Sequence, residues 1–223
     1  EIYINALAEI EYLQSLPREQ GGVVRGDAFY FACDLRPSTT EFVPELGGRG
    51  ELAQAIVRAI QDAGMRPVNL GFIPTPALAH FAWENGRGSI MATGSHIPFD
   101  RNGYKTNTAQ SELLKKDEAP INQQVERVRQ KIYAEPARLS PFNPQGMLKA
   151  GHEELPAAQP EARARYIARY TEFFGKTRLA GLRLLAYQHS AVGRDVLVEV
   201  LRGLGAQVTP AGRSDSFVPI DTE

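Results

Sequence analysis

The sequence predicts an α/β protein, and three observations carry that reading. Short apolar, β-prone runs (29–33, 89–92 and 182–187) alternate with longer stretches whose apolar residues recur at helical spacing. Glycine follows several of the helical stretches, as it does where a helix closes. The chain has 223 residues and is 43% hydrophobic, enough for a sizeable core in one or two domains. A net charge of −1 offers no electrostatic case for nucleic acid or an anionic membrane surface. The single cysteine, Cys33, can form no intrachain disulfide and fits a reducing compartment. No apolar run approaches membrane-spanning length, and the first residues lack the regions of a signal peptide. The expected setting is therefore cytoplasmic.

In chain order, Ile2, Ala6, Ile10 and Leu13 mark a helix over 1–16 that stops before Pro17. A loop at Gly21-Gly22 leads to the strand 29–33, which ends in Asp34-Leu35-Arg36-Pro37-Ser38-Thr39. Ligands of open α/β sheets gather beyond the carboxyl ends of the strands, and an arginine there can grip phosphate in bidentate fashion. Arg36 is thus a candidate phosphate ligand. Gly47, Gly48 and Gly50 do not form G-x-G-x-x-G and stand too far from the strand for a nucleotide loop. Leu52, Ile56, Ala59, Ile60 and Ala63 share a helical face closed by Gly64. A strand over 67–70 and a proline-marked helix start at Ile73-Pro74-Thr75-Pro76 follow. His80 reads as structural, and Asn85-Gly86 turns the chain into the strand 89–92. Ile121, Val125, Val128 and Ile132 line a helix over 119–134.

Five of the fifteen prolines then fall within 135–160, which places a domain boundary there. The expected division is a first domain over 1–140, a Pro-rich linker over 141–160 and part of a second domain over 161–223. That second part carries a helix (161–174), a strand (182–187), a helix closed by Gly205 and another strand from 207. It repeats the pattern of the first half, though not its residues.

Chemistry concentrates between Met91 and Lys105. Gly94 frees the backbone before Ser95, Pro98 stiffens it after, and Asn102-Gly103 signals a reversal that would return Lys105 to the neighbourhood of Ser95. A serine hydroxyl needs a base or a cation to become a useful nucleophile, and a lysine arriving from the next strand can be either. The same residues also suit an ordinary loop in which Ser, His and Asn form turns. His189-Ser190 is a second polar strand end, read as structural or interdomain together with Arg194. Neither serine has the G-x-S-x-G setting of a hydrolase elbow, and no His, Cys or carboxylate group has metal-ligand spacing.

Thr93-Gly94-Ser95-His96-Ile97-Pro98, followed by Asn102-Gly103 and Lys105, resembles the phosphoserine signature of the α-D-phosphohexomutases, the phosphoglucomutase and phosphomannomutase enzymes. Their commonest form reads T-A-S-H-N-P, then N-G-x-K, so Ile97 is a departure. Asp34-Leu35-Arg36-Pro37-Ser38 resembles the D-x-R-x-S motif of the same family, and Ile73 to Pro76 its T-P loop. The resemblance implies a three-layer α/β/α domain with a mixed sheet, followed by part of a second domain of similar topology. It implies that Ser95 carries a phosphoryl group, with Lys105 for proton transfer or electrostatic stabilisation and His96 supporting the loop or moving a proton. Arg36 and Asn102 would serve the phosphate. Mg2+ would bind through the Ser95 phosphate, and hexose 1,6-bisphosphate would be intermediate and activator. The implied reaction interconverts hexose 1-phosphate and hexose 6-phosphate, with a phosphosugar as the small-molecule partner and the oligomeric state open. The family's D-G-D-x-D-R metal loop, its N-terminal glycine-rich segment and its sugar-recognition and C-terminal phosphate loops are not found in this sequence. The expectation is therefore a portion of a longer enzyme, inactive by itself. A phosphoglucosamine mutase and a non-catalytic phosphosugar-binding module are the alternatives.

Overall fold

A computed structural model of the chain describes residues 1–43, 49–94, 97–98 and 101–219. Its centre is β1 (Ala28–Cys33), which pairs in parallel with β4 (Arg66–Phe72) on one side and β5 (Ser89–Ala92) on the other. The edge strand β6 (Tyr104–Asn107) runs antiparallel to β5, giving a mixed sheet in the order β4-β1-β5-β6. A separate short antiparallel pair, β2 (Phe42–Val43) and β3 (Arg49–Gly50), sits after β1.

Side chains alternate across a strand, and β1 feeds both layers. Phe29, Phe31 and Cys33 enter one core cluster, while Ala28, Tyr30 and Ala32 face the other. The first face is covered by α1 (Ile2–Ser15), α3 (Leu52–Asp62) and α5 (Glu118–Ala134). The second face receives α4 (Thr75–Glu84), α6 (Glu161–Phe174) and α7 (Arg194–Gly203). This is the three-layer α/β/α architecture that the resemblance implies. Gly64 and Gly205 follow α3 and α7 at φ of +73° and +97°, a region costly for any residue with a Cβ.

The expected boundary is not a break in packing. The core cluster containing Val68 and Leu70 of β4 also contains Ala162 and Tyr166 of α6 and Val196, Val200 and Leu204 at α7. The 141–160 stretch is a strap rather than a free linker. Phe142 meets Tyr3 edge-on at 5.2 Å, and Asn69 Nδ2 donates to the Pro156 carbonyl at 2.8 Å. Residues 142–148 form a turn closed by the Phe142–Leu148 bridge, 151–159 run on without turns, and sequence composition does not separate such a surface path from a linker. Beyond it, β7 (Arg183–His189) and β8 (Gln207–Arg213) form a two-stranded parallel sheet. Its outer face exposes Leu185 and Tyr187.

A buried polar tie joins α1 to the edge of the sheet. Glu9 of α1 accepts a hydrogen bond from Thr106 Oγ1 of β6, and burial raises the Glu9 carboxyl above its ordinary range despite that bond. A carboxyl raised in the folded state contributes stability that is complete below its unfolded-state pKa and is lost as pH rises through the folded value. Relative to Glu9→Gln, the natural protein should therefore lose stability between about pH 4 and neutrality, read from paired urea melts across that range. Ile60 is fully buried on α3, and Ile60→Ala should cost about 2–5 kcal/mol in the same melts.

Candidate functional site

The loops that follow β1 and β5 emerge side by side at the carboxyl edge of the sheet. Ser95, His96, Phe99 and Asp100 lie outside the described residues, so the candidate nucleophile and its histidine are placed here only by their neighbours in sequence. Those neighbours form a well-defined frame.

β5 and β6 make the expected reversal. Met91 pairs with Lys105, Ala92 with Tyr104, and the Thr93 amide donates to the Gly103 carbonyl at 3.0 Å. The connection from Ala92 to Tyr104 is not a two-residue turn at Asn102-Gly103, since Gly103 does not have the positive φ such a turn needs. Two i→i+3 hydrogen bonds shape that loop, from Ile97 N to Gly94 O at 3.1 Å and from Arg101 N to Pro98 O at 3.0 Å. Lys105 lies two pairs in from the loop mouth on the exposed edge strand, with the opposite strand face taken by Tyr104 and Thr106.

Arg36 sits at the middle of this frame, 8% exposed. Its Nη2 donates to the carbonyls of Gly94 and Ile97, and its Nη1 to those of Pro98 at 2.9 Å and Arg101 at 2.8 Å. Each terminal nitrogen thus holds the first and last carbonyl of one hydrogen-bonded span. Nε faces Asp34 Oδ2 at 3.9 Å. In this geometry the terminal N–H groups of Arg36, the expected phosphate ligand, are all used within the loop. It is a brace. Burial lowers its pKa from the ordinary value, opposed by Asp34, and a guanidinium stays charged regardless.

Asp34 and Asn102 extend the brace. Asp34 Oδ1 accepts from the Arg36 amide at 3.0 Å and from Thr39 Oγ1 at 2.7 Å, and its Oδ2 accepts from the Gly94 amide at 3.3 Å. Asn102 Nδ2 donates to Thr39 Oγ1 at 2.8 Å and to Ser38 Oγ at 3.0 Å, while its Oδ1 accepts from Gly103 N. Both amide protons of Asn102 are therefore occupied by the short helix α2 (Pro37–Thr40), which ties the far end of the loop to the end of β1. Ser38 and Thr39 were legible only as loop hydroxyls. Gly94 fits here for a different reason than turn freedom. Its φ is not positive, but a Cβ there would stand 3.1 Å from Arg36 Cζ and Nε and from Asn102 Oδ1.

The remaining candidates are structural. His80 on α4 packs edge-on against Tyr166 at 6.4 Å and lies 3.6 Å from Glu84. Arg194 holds the carbonyls of His189 and Ser214. Burial and the neighbouring Asp34 push the Cys33 thiol up to about 12, which leaves it unreactive. Among the described residues no group of three or more His, Cys, Asp or Glu could hold a metal ion, and no helix is long and apolar enough to cross a membrane. A cleft of about 290 Å³ between α3 and the 139–156 strap shares no residue with this loop.

Asn102→Ala should destabilise the protein by about 1–3 kcal/mol, since it removes the donor to the Thr39 and Ser38 hydroxyl oxygens and leaves the Gly103 amide without its acceptor, while Thr39 keeps its bond to Asp34. A thermal melt of purified variant against parent checks this.

Residues 48–132 match the family model described as phosphoglucomutase/phosphomannomutase, alpha/beta/alpha domain I. A phosphomannomutase of Sinorhizobium fredii is 38% identical over 92% of this chain, and one of Salmonella muenchen 40% identical over 77%. The chain spans 38% and 32% of the length of those two relatives. A crystal structure of a phosphoglucomutase/phosphomannomutase family protein from Burkholderia thailandensis superimposes with a TM-score of 0.58. That match covers 95% of this chain and 39% of the other at 20% identity, a likeness of fold alone. The chain belongs to the phosphoglucomutase/phosphomannomutase family.

Proposed function

We propose that the protein of which this sequence is part is a phosphohexomutase of the phosphomannomutase type, with Ser95 as its phosphoryl carrier. The observation that supports this most is the braced loop. Phosphoryl transfer is mostly positioning and charge neutralisation, and a serine loop pinned at four carbonyls by one buried cation is built for position. The relatives named phosphomannomutase are 38–40% identical, whereas those named phosphoglucosamine mutase are 26–27% identical, which favours the first over the second.

In this reading the Ser95 phosphoester opens as a phosphosugar hydroxyl attacks phosphorus. The new P–O bond forms to the sugar, the hydroxyl proton leaves to a base, and the Ser95 oxygen regains a proton. The bisphosphorylated sugar then turns and returns its other phosphoryl group to Ser95. Lys105 moves the proton or stabilises charge beside Ser95, and His96 supports the loop or assists the proton. Arg36 and Asn102 act through the loop backbone. Magnesium, when bound, neutralises phosphoryl oxygen charge. The described residues provide no donor set for it, so its ligands besides the Ser95 phosphate lie elsewhere and no step here depends on them. A cytoplasmic setting suits the lone buried cysteine.

Phosphopeptide mass analysis of the full-length protein purified from cells tests the reading. A near-stoichiometric phosphoryl group on Ser95, removed in Ser95→Ala together with turnover, is the expected result. A Ser95 that stays unmodified even after incubation with hexose 1,6-bisphosphate and magnesium would favour a non-catalytic binding module. Lys105→Ala should lower kcat about 10²- to 10⁴-fold, the range of a positioned proton-transfer group.

A further inference from the structure

We propose that Phe217 is a positioning residue for the serine loop, acting through the flat face of the Arg36 guanidinium. A guanidinium is planar, and the terminal donors in its plane are committed to the carbonyls of Gly94, Ile97, Pro98 and Arg101. What remains for contact is its faces. Phe217 takes one, with its ring centroid 5.5 Å from Arg36 Cζ.

Phe217 belongs to the segment after β8, far in sequence from the loop, and that segment is fastened on both sides of it. Before it, the Ser214 amide donates to the His189 carbonyl at 3.1 Å, and Arg194 Nη1 donates to the Ser214 carbonyl at 2.5 Å. After it, Ser190 Oγ accepts from the Val218 amide at 3.0 Å and donates to the Val218 carbonyl at 3.2 Å. These anchors stand at the carboxyl end of β7, whose last residue, His189, holds a left-handed φ of +50°. The position of the β7–β8 sheet end is thereby passed to the ring, from the ring to the guanidinium, and from the guanidinium to the loop that bears Ser95. A displacement of the 214–218 segment uncovers the face of the cation on which the loop is wound. The consequence for catalysis rests on the mutase reading. The mechanical coupling does not.

The test uses the full-length protein and the variants Phe217→Leu, Phe217→Tyr and Ser190→Ala. Phe217 is half-exposed, so Leu removes the aromatic face without opening a core cavity, and Tyr keeps it. Hydrogen exchange of peptides covering 93–104 should quicken about 3- to 30-fold in Phe217→Leu and in Ser190→Ala, and stay at the parent level in Phe217→Tyr. Peptides from α1 and α3 should not change in any of them. Loop exchange in Phe217→Leu equal to the parent's overturns the proposal, as does a rise shared equally by α3. In turnover of hexose phosphate, Phe217→Leu should lower kcat with KM unchanged and Phe217→Tyr should restore it. A parent kcat in Phe217→Leu also overturns the proposal. A parent protein without mutase activity defeats the mutase reading instead, and the exchange result then decides the coupling by itself.

Discussion

The structure at the candidate site depends on burying one cation. Arg36 is 8% exposed, and a guanidinium withdrawn from water must find its hydrogen bonds inside the protein or cost several kcal/mol. The carbonyls of Gly94, Ile97, Pro98 and Arg101 meet that demand. Asp34 supplies the opposing charge and also receives the Gly94 amide, so Gly94 is held by its donor as well as its acceptor.

The three layers exist to bring that side chain to the right edge. β1 runs through the centre of the sheet with Phe29 and Phe31 on one face and Ala28, Tyr30 and Ala32 on the other. Tyr30 meets Phe81 of α4 at 5.4 Å, and α6 and α7 pack against the same cluster. The second sheet therefore does not float on a linker. It is set against the first by shared core, and its strand ends arrive beside the serine loop, where Phe217 meets Arg36.

Much of this was legible beforehand. Helical periodicity located α1, α3, α5 and α6 within a residue or two, since an amphipathic face leaves a periodic trace whatever it packs against. The motif residues from Thr93 to Lys105 carried the family, and the reversal of β5 into β6 followed from them. The roles of Arg36 and Asn102 were not legible. A phosphate ligand and a backbone brace call for the same residue types at the same strand end, and only the count of occupied donors separates them. That the 141–160 stretch lies against Tyr3 and Asn69 was not legible for a similar reason, because a proline-rich stretch looks alike whether or not it lies on a surface. The contact of Phe217 with Arg36 spans too much sequence to leave any local pattern.

Gly94 shows how these constraints meet in one residue. Turn propensity accounts for glycine there by freedom of φ, yet its φ is one that any residue adopts. What crowds a side chain is the brace itself, with Arg36 and Asn102 both 3.1 Å from where a Cβ would stand. Alanine occupies this place in the family's commonest motif form, so a methyl group there demands a guanidinium withdrawn by a few tenths of an ångström. The glycine, the buried arginine and the asparagine therefore specify one another. Exchange of any one alters the distance at which the loop is wound on its cation, and with it the place where Ser95 is presented.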